Sequence, residues 1–300
     1  MPSNRNLIKG QYQLGELIMG PYTPFKVESI DIGNYDVNAQ DYQSQLSNEL
    51  RFGTDTFKPA PIQLTINVMM NRALPNIAAL TNDIRVLNFD NDPNLADLQR
   101  EWRGEDVMPI WGALKPLLFC GSDGITRQFY GRPGKFAYKP HKQVDGWYYQ
   151  CQAEFRRSDT FAYSNTEYFV DFAADTPQTI TRVNGTATSW VRFLLVGPFN
   201  HPTINFGDKQ IELDTTELYP GGIVPDGHVV EISSYPHERR VIDTFDGRSL
   251  AAYIVTDRPY LDTIKLPDHT PTVTSWTATD LGPNSRMRLT WHDAYQVMDQ

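Results

Sequence analysis

Histidine is the side chain best suited to proton transfer near neutral pH, and six histidines are spread along the sequence. Two of them precede a carboxylate directly, as His237-Glu238 and His292-Asp293. Neighbours on a strand point to opposite faces of the sheet, so neither pair is expected to share a proton. The spacing of the six fits no metal-binding pattern, and the sequence contains no hydrolase, metalloprotease or nucleotide-binding motif. These observations predict no catalytic residue, no bound metal and no cofactor.

Carboxylates leave one enzymatic alternative open, because a polysaccharide hydrolase needs only two of them. The two must lie about 5–10 Å apart in a cleft, and none of the 36 Asp and Glu residues stands out as a member of such a pair. The two cysteines, Cys120 and Cys151, are too few for a disulfide framework or a zinc site. They fit a reducing compartment, and we expect two partly buried thiols.

Exposed aromatic rings could bind sugar instead, since a ring face suits the apolar face of a pyranose. In the second half of the chain, Trp276, Tyr235 and Tyr260 are the candidates for such stacking. About half of the aromatic residues on the strands of a two-layer protein face the core. Core packing is therefore the alternative role for each of these rings.

The elements that must position these residues are mostly strands. Aromatic residues make up 12% of the chain, and it holds 20 Gly and 21 Pro, a composition typical of short strands joined by turns. In the clearest strand, Ile62, Leu64, Ile66 and Val68 alternate with polar residues. Before it, residues 36–48 are polar, lack periodicity and predict an exposed arm or loop.

Two helices are predicted after that strand. The first covers residues 73–87, where apolar side chains recur at helical spacing. The second has Asp92 as its cap and Pro93 as its first residue, and it ends at Gly104. The face that it buries is expected to carry Leu95, Leu98 and Trp102.

From residue 114 onward the sequence predicts strands joined by hairpins. The turns include residues 121–124 and 207–209, and Asp246-Gly247 is expected to join strands 240–245 and 248–255. The strongest hairpin signal is Asn184-Gly185, between strands 179–183 and 186–196. Strands at this spacing without helices favour an antiparallel sandwich. We place the domain boundary at residue 176.

The charge of the chain argues against one class of partner. Lys and Arg number 27 against 36 Asp and Glu, a formal net charge of −9, and neither half of the chain is basic. A broad nucleic-acid-binding face is therefore not expected. The beginning of the chain shows no signal peptide, and its apolar stretches are only as long as strands, so no membrane insertion is expected.

Seven segments, taken in order, resemble the distal tail proteins of long-tailed bacteriophages. The resemblance is closest to those of actinobacterial phages, which are usually called minor tail proteins. It covers most of the chain and depends on the order of the segments rather than on any one motif. The segments are residues 12–17 (YQLGEL), 20–25 (GPYTPF), 27–31 (VESID), 51–57 (RFGTDTF), 130–133 (YGRP), 197–204 (GPFNHPTI) and 289–295 (LTWHDAY).

The resemblance implies a mainly β, two-domain structural protein of the virion rather than an enzyme. Residues 1–176 would be a β-sandwich or split barrel with one or two helices, and this domain would form the tail-hub ring. Residues 177–300 would be a galectin-like antiparallel β-sandwich. The fold alone does not carry sugar binding, and the pattern of His, Asn and Arg that galectins use is incomplete around His201 and Asn205.

The same resemblance implies a location and partners. The chain would be made in the cytoplasm of the host bacterium and would form a ring, usually of six subunits, at the virion tail tip. Neighbouring subunits would be joined by an N-terminal β-belt. The expected partners are the tail tube protein, a tail-associated hub protein, other minor tail proteins and a receptor-binding protein. DNA would pass the lumen without specific binding. A carbohydrate-binding module that recognises host cell-wall glycans through the second domain is the alternative function.

We expect the contact between subunits in the polar arm and in the segment that follows it. An ordinary solvated loop is the alternative for the same residues. The predicted contact residues are Asp36, Asp41, Tyr42, Arg51, Phe52 and Phe57.

Overall fold

The computed structural model of the chain describes residues 6–33, 36–39, 42–43, 50–51, 56–69, 92–143, 146–255 and 261–296. Within these residues the protein is mainly β, as predicted, and contains the α-helix α1 (Pro93–Arg103) and the 3-10 turns Pro220–Gly222, Ala251–Tyr253 and Leu261–Thr263. None of the described helices has the length and apolar character that a membrane span requires. The described strands, in chain order, are β1 (Tyr12–Leu14), β2 (Leu17–Met19), β3 (Phe25–Asp31), β4 (Asp36–Asn38), β5 (Tyr42–Gln43), β6 (Leu50–Arg51), β7 (Thr56–Lys58), β8 (Ile62–Met69), β9 (Lys115–Cys120), β10 (Thr126–Gln143), β11 (Gly146–Arg157), β12 (Ala162–Phe172), β13 (Gln178–Ile180), β14 (Ser189–Val196), β15 (Phe199–Phe206), β16 (Lys209–Glu212), β17 (Ile223–Val224), β18 (Val229–Ser233), β19 (Arg240–Asp243), β20 (Lys265–Leu266), β21 (Thr272–Thr279) and β22 (Arg286–Tyr295).

The contacts of the chain divide it into two units, unit 1 (Met1–Ala162) and unit 2 (Tyr163–Val297). The division precedes the boundary predicted at residue 176, because nearly all of β12 belongs to unit 2. Phe172 is buried in the core of unit 2, and Tyr168 and Val170 pack against that core. The exposed residues Glu167, Phe169 and Asp171 alternate with these three in β12, so the strand is half-buried.

In unit 1 the alternating segment is β8, and its side chains Ile62, Leu64, Ile66 and Val68 are buried as predicted. β8 lies between β3 and β11, and the sheet continues from β11 through β10, β9 and β1 to β2. The turn predicted at residues 121–124 joins β9 to β10 in an antiparallel hairpin. Alternating burial on β8 thus marks the face of the sheet that packs on the core.

The helix α1 covers that core and begins and ends where the sequence predicts. The Asp92 carboxylate accepts hydrogen bonds from the backbone N–H groups of Asn94 and Leu95, and Gly104 takes the left-handed conformation at the other end. Its buried face carries Leu95, Leu98 and Trp102. The helix predicted at residues 73–87 lies outside the described residues.

Unit 2 is an antiparallel sandwich of two sheets. The first sheet has the order β19-β18-β14-β22-β12, with β20 paired to β14, and the second has the order β13-β21-β15-β16, with β17 paired to β15. Phe193 of the first sheet meets Phe206 of the second edge to face, with ring centroids 5.6 Å apart. The hairpin predicted at residues 207–209 joins β15 to β16. In contrast, the strand predicted after Asp246-Gly247 is replaced by the 3-10 turn Ala251–Tyr253.

The hairpin predicted at Asn184-Gly185 is wrong, although its sequence signal is the strongest in the chain. β13 pairs with β21 of the second sheet, whereas β14 pairs with β18 and β22 of the first. The turn therefore carries the chain from one sheet to the other. Gly185 is required there because a Cβ atom would lie 2.1 Å from the Arg182 guanidinium.

Arg182 explains this departure, since the chain wraps around its buried guanidinium. Nε donates to the Asp293 carboxylate of β22 at 2.9 Å. The terminal nitrogens donate to the carbonyl oxygens of Asn184, Ala187 and Leu266. The Arg182 side chain is fully buried and that of Asp293 nearly so. Ionic hydrogen bonds thus hold both sides of the turn and β22 in one arrangement.

We expect Arg182→Met to destabilise the chain strongly, by about 3–5 kcal/mol in the free energy of unfolding. The substitution leaves the Asp293 carboxylate buried without its counter-charge. It also removes the hydrogen-bond donor to three backbone carbonyl oxygens. Urea unfolding of the full chain measures the loss. Arg288→Met is the matched control, because Arg288 makes a two-pronged pair with Asp171 on the surface. Equal losses from the two substitutions would contradict this account.

Two histidines of unit 2 are held neutral by burial. His237 and His292 lie on either side of the buried Tyr235, with ring centroids 5.5 and 6.2 Å from the tyrosine ring. The pKa of His237 is lowered to about 4, chiefly by burial; Glu238 opposes the shift and Arg192 adds to it. Burial also lowers the pKa of His292. Both imidazoles are therefore uncharged in the folded chain at neutral pH.

The stability of the chain is expected to fall as the pH drops from about 6.5 towards 4. In this window the unfolded chain binds protons at His237 and His292 that the folded chain does not bind, so the stability is complete only above the window. For His237 the loss between pH 7 and 5 is on the order of 2 kcal/mol. Urea midpoints at the two pH values measure it. His237→Gln should flatten the dependence, whereas His269→Asn, at an exposed position, should leave it unchanged.

Candidate assembly site

The polar segment that was predicted as an arm or loop forms paired strands in its described parts. β4 pairs with β7, so that Asp36 faces Lys58, and β5 pairs with β6, so that Tyr42 faces Arg51. The two pairs are nested, with β5 and β6 between β4 and β7 in the chain. The described parts of residues 36–58, which we call the arm, therefore follow an antiparallel hairpin.

The arm continues a ladder of unit 1. Asp31 of β3 pairs with Gln63 of β8, and five residues further along each strand Asp36 pairs with Lys58. The register that the β3–β8 ladder has from Ser29 onward is thus kept into the arm. The sequence analysis missed these strands because residues 36–48 show no alternation of apolar and polar residues. Pairing here follows from the neighbouring ladder rather than from local pattern.

The arm has open edges within the described part of the chain. The sheet of β4 and β7 and the sheet of β5 and β6 each contain two strands. A two-stranded ribbon exposes a row of unpaired N–H and C=O groups along each outer edge, and such a row can pair with another chain. Of the predicted contact residues, Asp36, Tyr42, Arg51 and Phe57 lie in these strands, and Asp41 and Phe52 lie outside the described residues.

A second candidate surface of unit 1 is the loop after α1, residues 107–113, which we call the apolar loop. Trp111 at its tip is 99% exposed, and Met108 and Ile110 are exposed beside it. Arg132 fixes the loop, since its guanidinium donates to the carbonyl oxygens of Ile110 and Ala113 at 2.6 and 2.7 Å. The ring is thus held out to solvent by a braced backbone. Such large exposed apolar groups mark contact sites.

The sequence analysis missed the apolar loop. Its only local signal is an Ile-Trp pair between Pro109 and Gly112, in a segment without helical or alternating periodicity. Trp111 could equally have been a core residue, because residue type does not report exposure. The guanidinium that braces the loop comes from β10, far along the chain.

Two of the three rings predicted to stack on sugar, Trp276 and Tyr235, lie in the described residues, and neither is presented to solvent. Trp276 is fully buried, and its ring N–H donates to the Phe172 carbonyl oxygen. Tyr235 is also buried, and its hydroxyl accepts a hydrogen bond from the His292 backbone N–H. Tyr260 lies outside the described residues. Neither described ring offers a face to a sugar, because both belong to packed layers of the fold.

Two histidines of unit 2 form pairs with carboxylates in the folded chain. The His228 Nδ1 atom lies 2.6 Å from Asp243, and the His201 Nε2 atom lies 3.0 Å from Asp214, so each of these histidines contacts a carboxylate that is distant in the sequence. Burial raises the pKa of Asp243, but hydrogen bonds from Tyr219 and His228 outweigh it and hold this pKa below its usual value. Among the described residues, no group of three or more His, Cys, Asp or Glu side chains could hold a metal ion.

Cys120 and Cys151 are both buried and do not form a disulfide bond, as expected of structural cysteines. Burial raises the pKa of Cys151 to about 12, so this thiol stays protonated at neutral pH. Cys120 packs in a small separate cluster with Leu7 and Leu118. A protonated, buried thiol is a poor nucleophile.

Comparison with known proteins gives matches in fold only. No protein-family model and no curated protein matches the sequence. The Dit protein (gp 19.1) of phage SPP1, described as a paradigm of the hub adsorption apparatus in phages that infect Gram-positive bacteria, has a TM-score of 0.58 at 12% identity. That match covers 95% of this chain and 98% of the SPP1 protein. A chain of the phage P2 baseplate in its activated conformation with Ca has a TM-score of 0.49 at 10% identity, over 93% and 97% of the two chains. Along nearly its whole length, this chain therefore has the fold of a phage Dit protein.

Proposed function

We propose that the protein is a structural hub of a phage tail, a ring that joins the tail tube to the tip or baseplate and to the host-adhesion apparatus. The observation that carries the proposal is the arm, an antiparallel hairpin that extends the β3–β8 ladder and leaves its outer edges unpaired. The Dit fold over both units supports the same role. In this proposal the chain binds and positions other proteins and catalyses no reaction.

The arm offers a way to close a ring. If the arm of one subunit adds to a sheet edge of the next, each contact is head to tail, and repeated head-to-tail contacts close when the rotation between subunits allows it. Backbone pairing supplies the affinity, so the contact needs no apolar stripe on the arm. The sequence resembles distal tail proteins of the actinobacteriophage type, and this resemblance implies a ring of six subunits.

The acidic charge fits a conduit for DNA. With a net charge of −9 in each chain, a ring of subunits carries a strongly negative field. A negative lumen repels the phosphate backbone, so a genome could pass without adhering. This part of the proposal requires that acidic side chains line the ring.

Deletion of residues 38–48 is expected to leave a folded chain that no longer forms rings. The deletion removes β5 and part of the arm, whereas β3 and β8 keep their own ladder. Light scattering measures the mass of the particles and negative-stain images show their symmetry. Far-ultraviolet circular dichroism and the urea midpoint serve as the control for folding. Rings that persist in the deletion variant would overturn the assignment of the arm, and a wild-type chain that stays monomeric with its tail partners present would overturn the ring.

The apolar loop is proposed as the anchor for a second tail protein. Trp111→Ser is expected to weaken that contact by about 2 kcal/mol or more, which is a roughly 30-fold rise in Kd, because a buried interface Trp is a common hot spot. Rings should still form. Titration of the chain against the purified tail tube and hub proteins measures the affinity. Tyr22→Ser is the matched control, since Tyr22 is 96% exposed in the same unit. Equal affinity of wild type and Trp111→Ser for every tail partner would exclude the loop as an anchor.

A further inference from the structure

At one place in unit 2, three separate segments meet around a single buried carboxylate. Asp243 ends β19 and is fully buried. Its carboxylate accepts hydrogen bonds from the Tyr219 hydroxyl and from His228 Nδ1, each at 2.6 Å, and from the Phe245 backbone N–H at 2.9 Å. The turn after β19, the turn before β18 and the segment before β17 are thereby tied together. Nothing in the proposed hub role uses this cluster.

The cluster presents an aromatic platform to solvent. The Phe245 ring is 72% exposed, and one of its faces stacks on the His228 imidazole, with centroids 4.2 Å apart and planes 28° apart. The turn beneath it is fixed, because Gly247 N–H donates to the Asp243 carbonyl oxygen and Thr244 N–H to that of Val229. An exposed ring that is already held in place loses little conformational entropy when a ligand covers it.

Polar groups of both kinds border this platform. His228 Nδ1 lies 2.6 Å from the Asp243 carboxylate, and the tautomer that donates this hydrogen bond keeps a lone pair on Nε2. The Arg248 guanidinium lies over the Tyr219 ring, 4.7 Å from its centroid, and uses one nitrogen to donate to the Leu218 carbonyl oxygen. Its side chain is 40% exposed. Arg248 is also hydrogen-bonded to Tyr219, so the site offers its remaining N–H groups as donors and His228 as an acceptor.

The Asp246 carboxylate completes the set. It accepts a hydrogen bond from the Arg248 backbone N–H and lies 3.6 Å from the Arg248 guanidinium. This carboxylate balances the guanidinium, so the site has no net attraction for an anion such as phosphate. A purely apolar ligand would cover Phe245 but would use none of the remaining hydrogen-bonding capacity of Asp246, Arg248 and His228. The chemistry that fits is a neutral ring with one apolar face and several hydroxyl groups.

We infer that Phe245, with Asp246, Arg248 and His228 around it, forms a binding site for a neutral pyranose unit of a polysaccharide. The apolar C–H face of the sugar lies on the open face of Phe245. Its hydroxyl groups donate to Asp246 and His228 and accept from Arg248. This site is independent of the hub role, and it provides in unit 2 the exposed ring that Trp276 and Tyr235 do not provide.

Saturation-transfer NMR on the full chain tests the inference. The probes are methyl α-glucoside, methyl β-galactoside and N-acetylglucosamine, each at millimolar concentration. We expect transfer to at least one sugar, strongest at the protons of one ring face, and a binding at least about tenfold weaker in Phe245→Ala. Phe169→Ala is the matched control. Phe169 is 58% exposed in the same unit, but the Arg288 guanidinium lies over its ring at 4.4 Å, and this substitution should leave binding unchanged.

The possible results separate this site from the hub proposal. No transfer to any of the three sugars, an unchanged affinity in Phe245→Ala, or an equal loss in the two variants would each overturn the inference. Particle mass is measured on the same samples, and Phe245→Ala should form the same particles as the wild type. Loss of sugar binding with intact rings supports the site. Absence of rings in the wild type contradicts only the hub proposal.

Discussion

A slip of β8 by one residue against β3 would turn four buried apolar side chains to the other face of the sheet. Each of them contributes about 1.5–3 kcal/mol when it is buried, so the penalty holds β8 in its register against β3, which shifts by one residue between Val27 and Ser29. That register continues into β4 and β7, where Asp36 faces Lys58 as the ladder requires. The core of unit 1 therefore determines where a hairpin without any described core of its own is built. The arm, which the proposed ring would use, thus depends on packing that lies outside the arm.

Unit 2 depends on a different kind of constraint, the satisfaction of buried charge. Arg182 and Asp293 bring together the turn after β13, the end of β20 and the last strand. Asp243 brings together three more segments. A buried charge must be paired and hydrogen-bonded, and each partner that it gathers restricts the path of the chain. Short strands and many turns would allow the chain of unit 2 to take several paths. The hydrogen bonds of the buried charges select one of these paths.

The buried titratable groups discussed above have structural roles of this kind. Burial keeps His237 and His292 neutral and Cys151 protonated. What remains open to partners is of another kind: backbone edges on the arm, a Trp ring on the apolar loop, and a Phe ring bordered by polar groups. All three suit recognition rather than bond making or breaking, which is the character expected of a part that assembles with other parts.

The sequence by itself determined the elements that depend on residues close together in the chain. The alternation of β8, the helix α1 with Asp92 and Gly104 at its ends, and the β15–β16 hairpin could all be predicted, because neighbouring residues cause each of them. The acidic charge and the lack of a catalytic motif were also visible, as was a resemblance in segment order. Only the tertiary structure decided that Asn184-Gly185 joins two sheets, that the polar segment pairs as an arm, and that Trp111 and Phe245 stay exposed while Trp276 does not. These outcomes depend on Arg182, Arg132, β3 with β8, and Asp243, which act across long stretches of the chain, and no local pattern encodes contacts between residues so far apart.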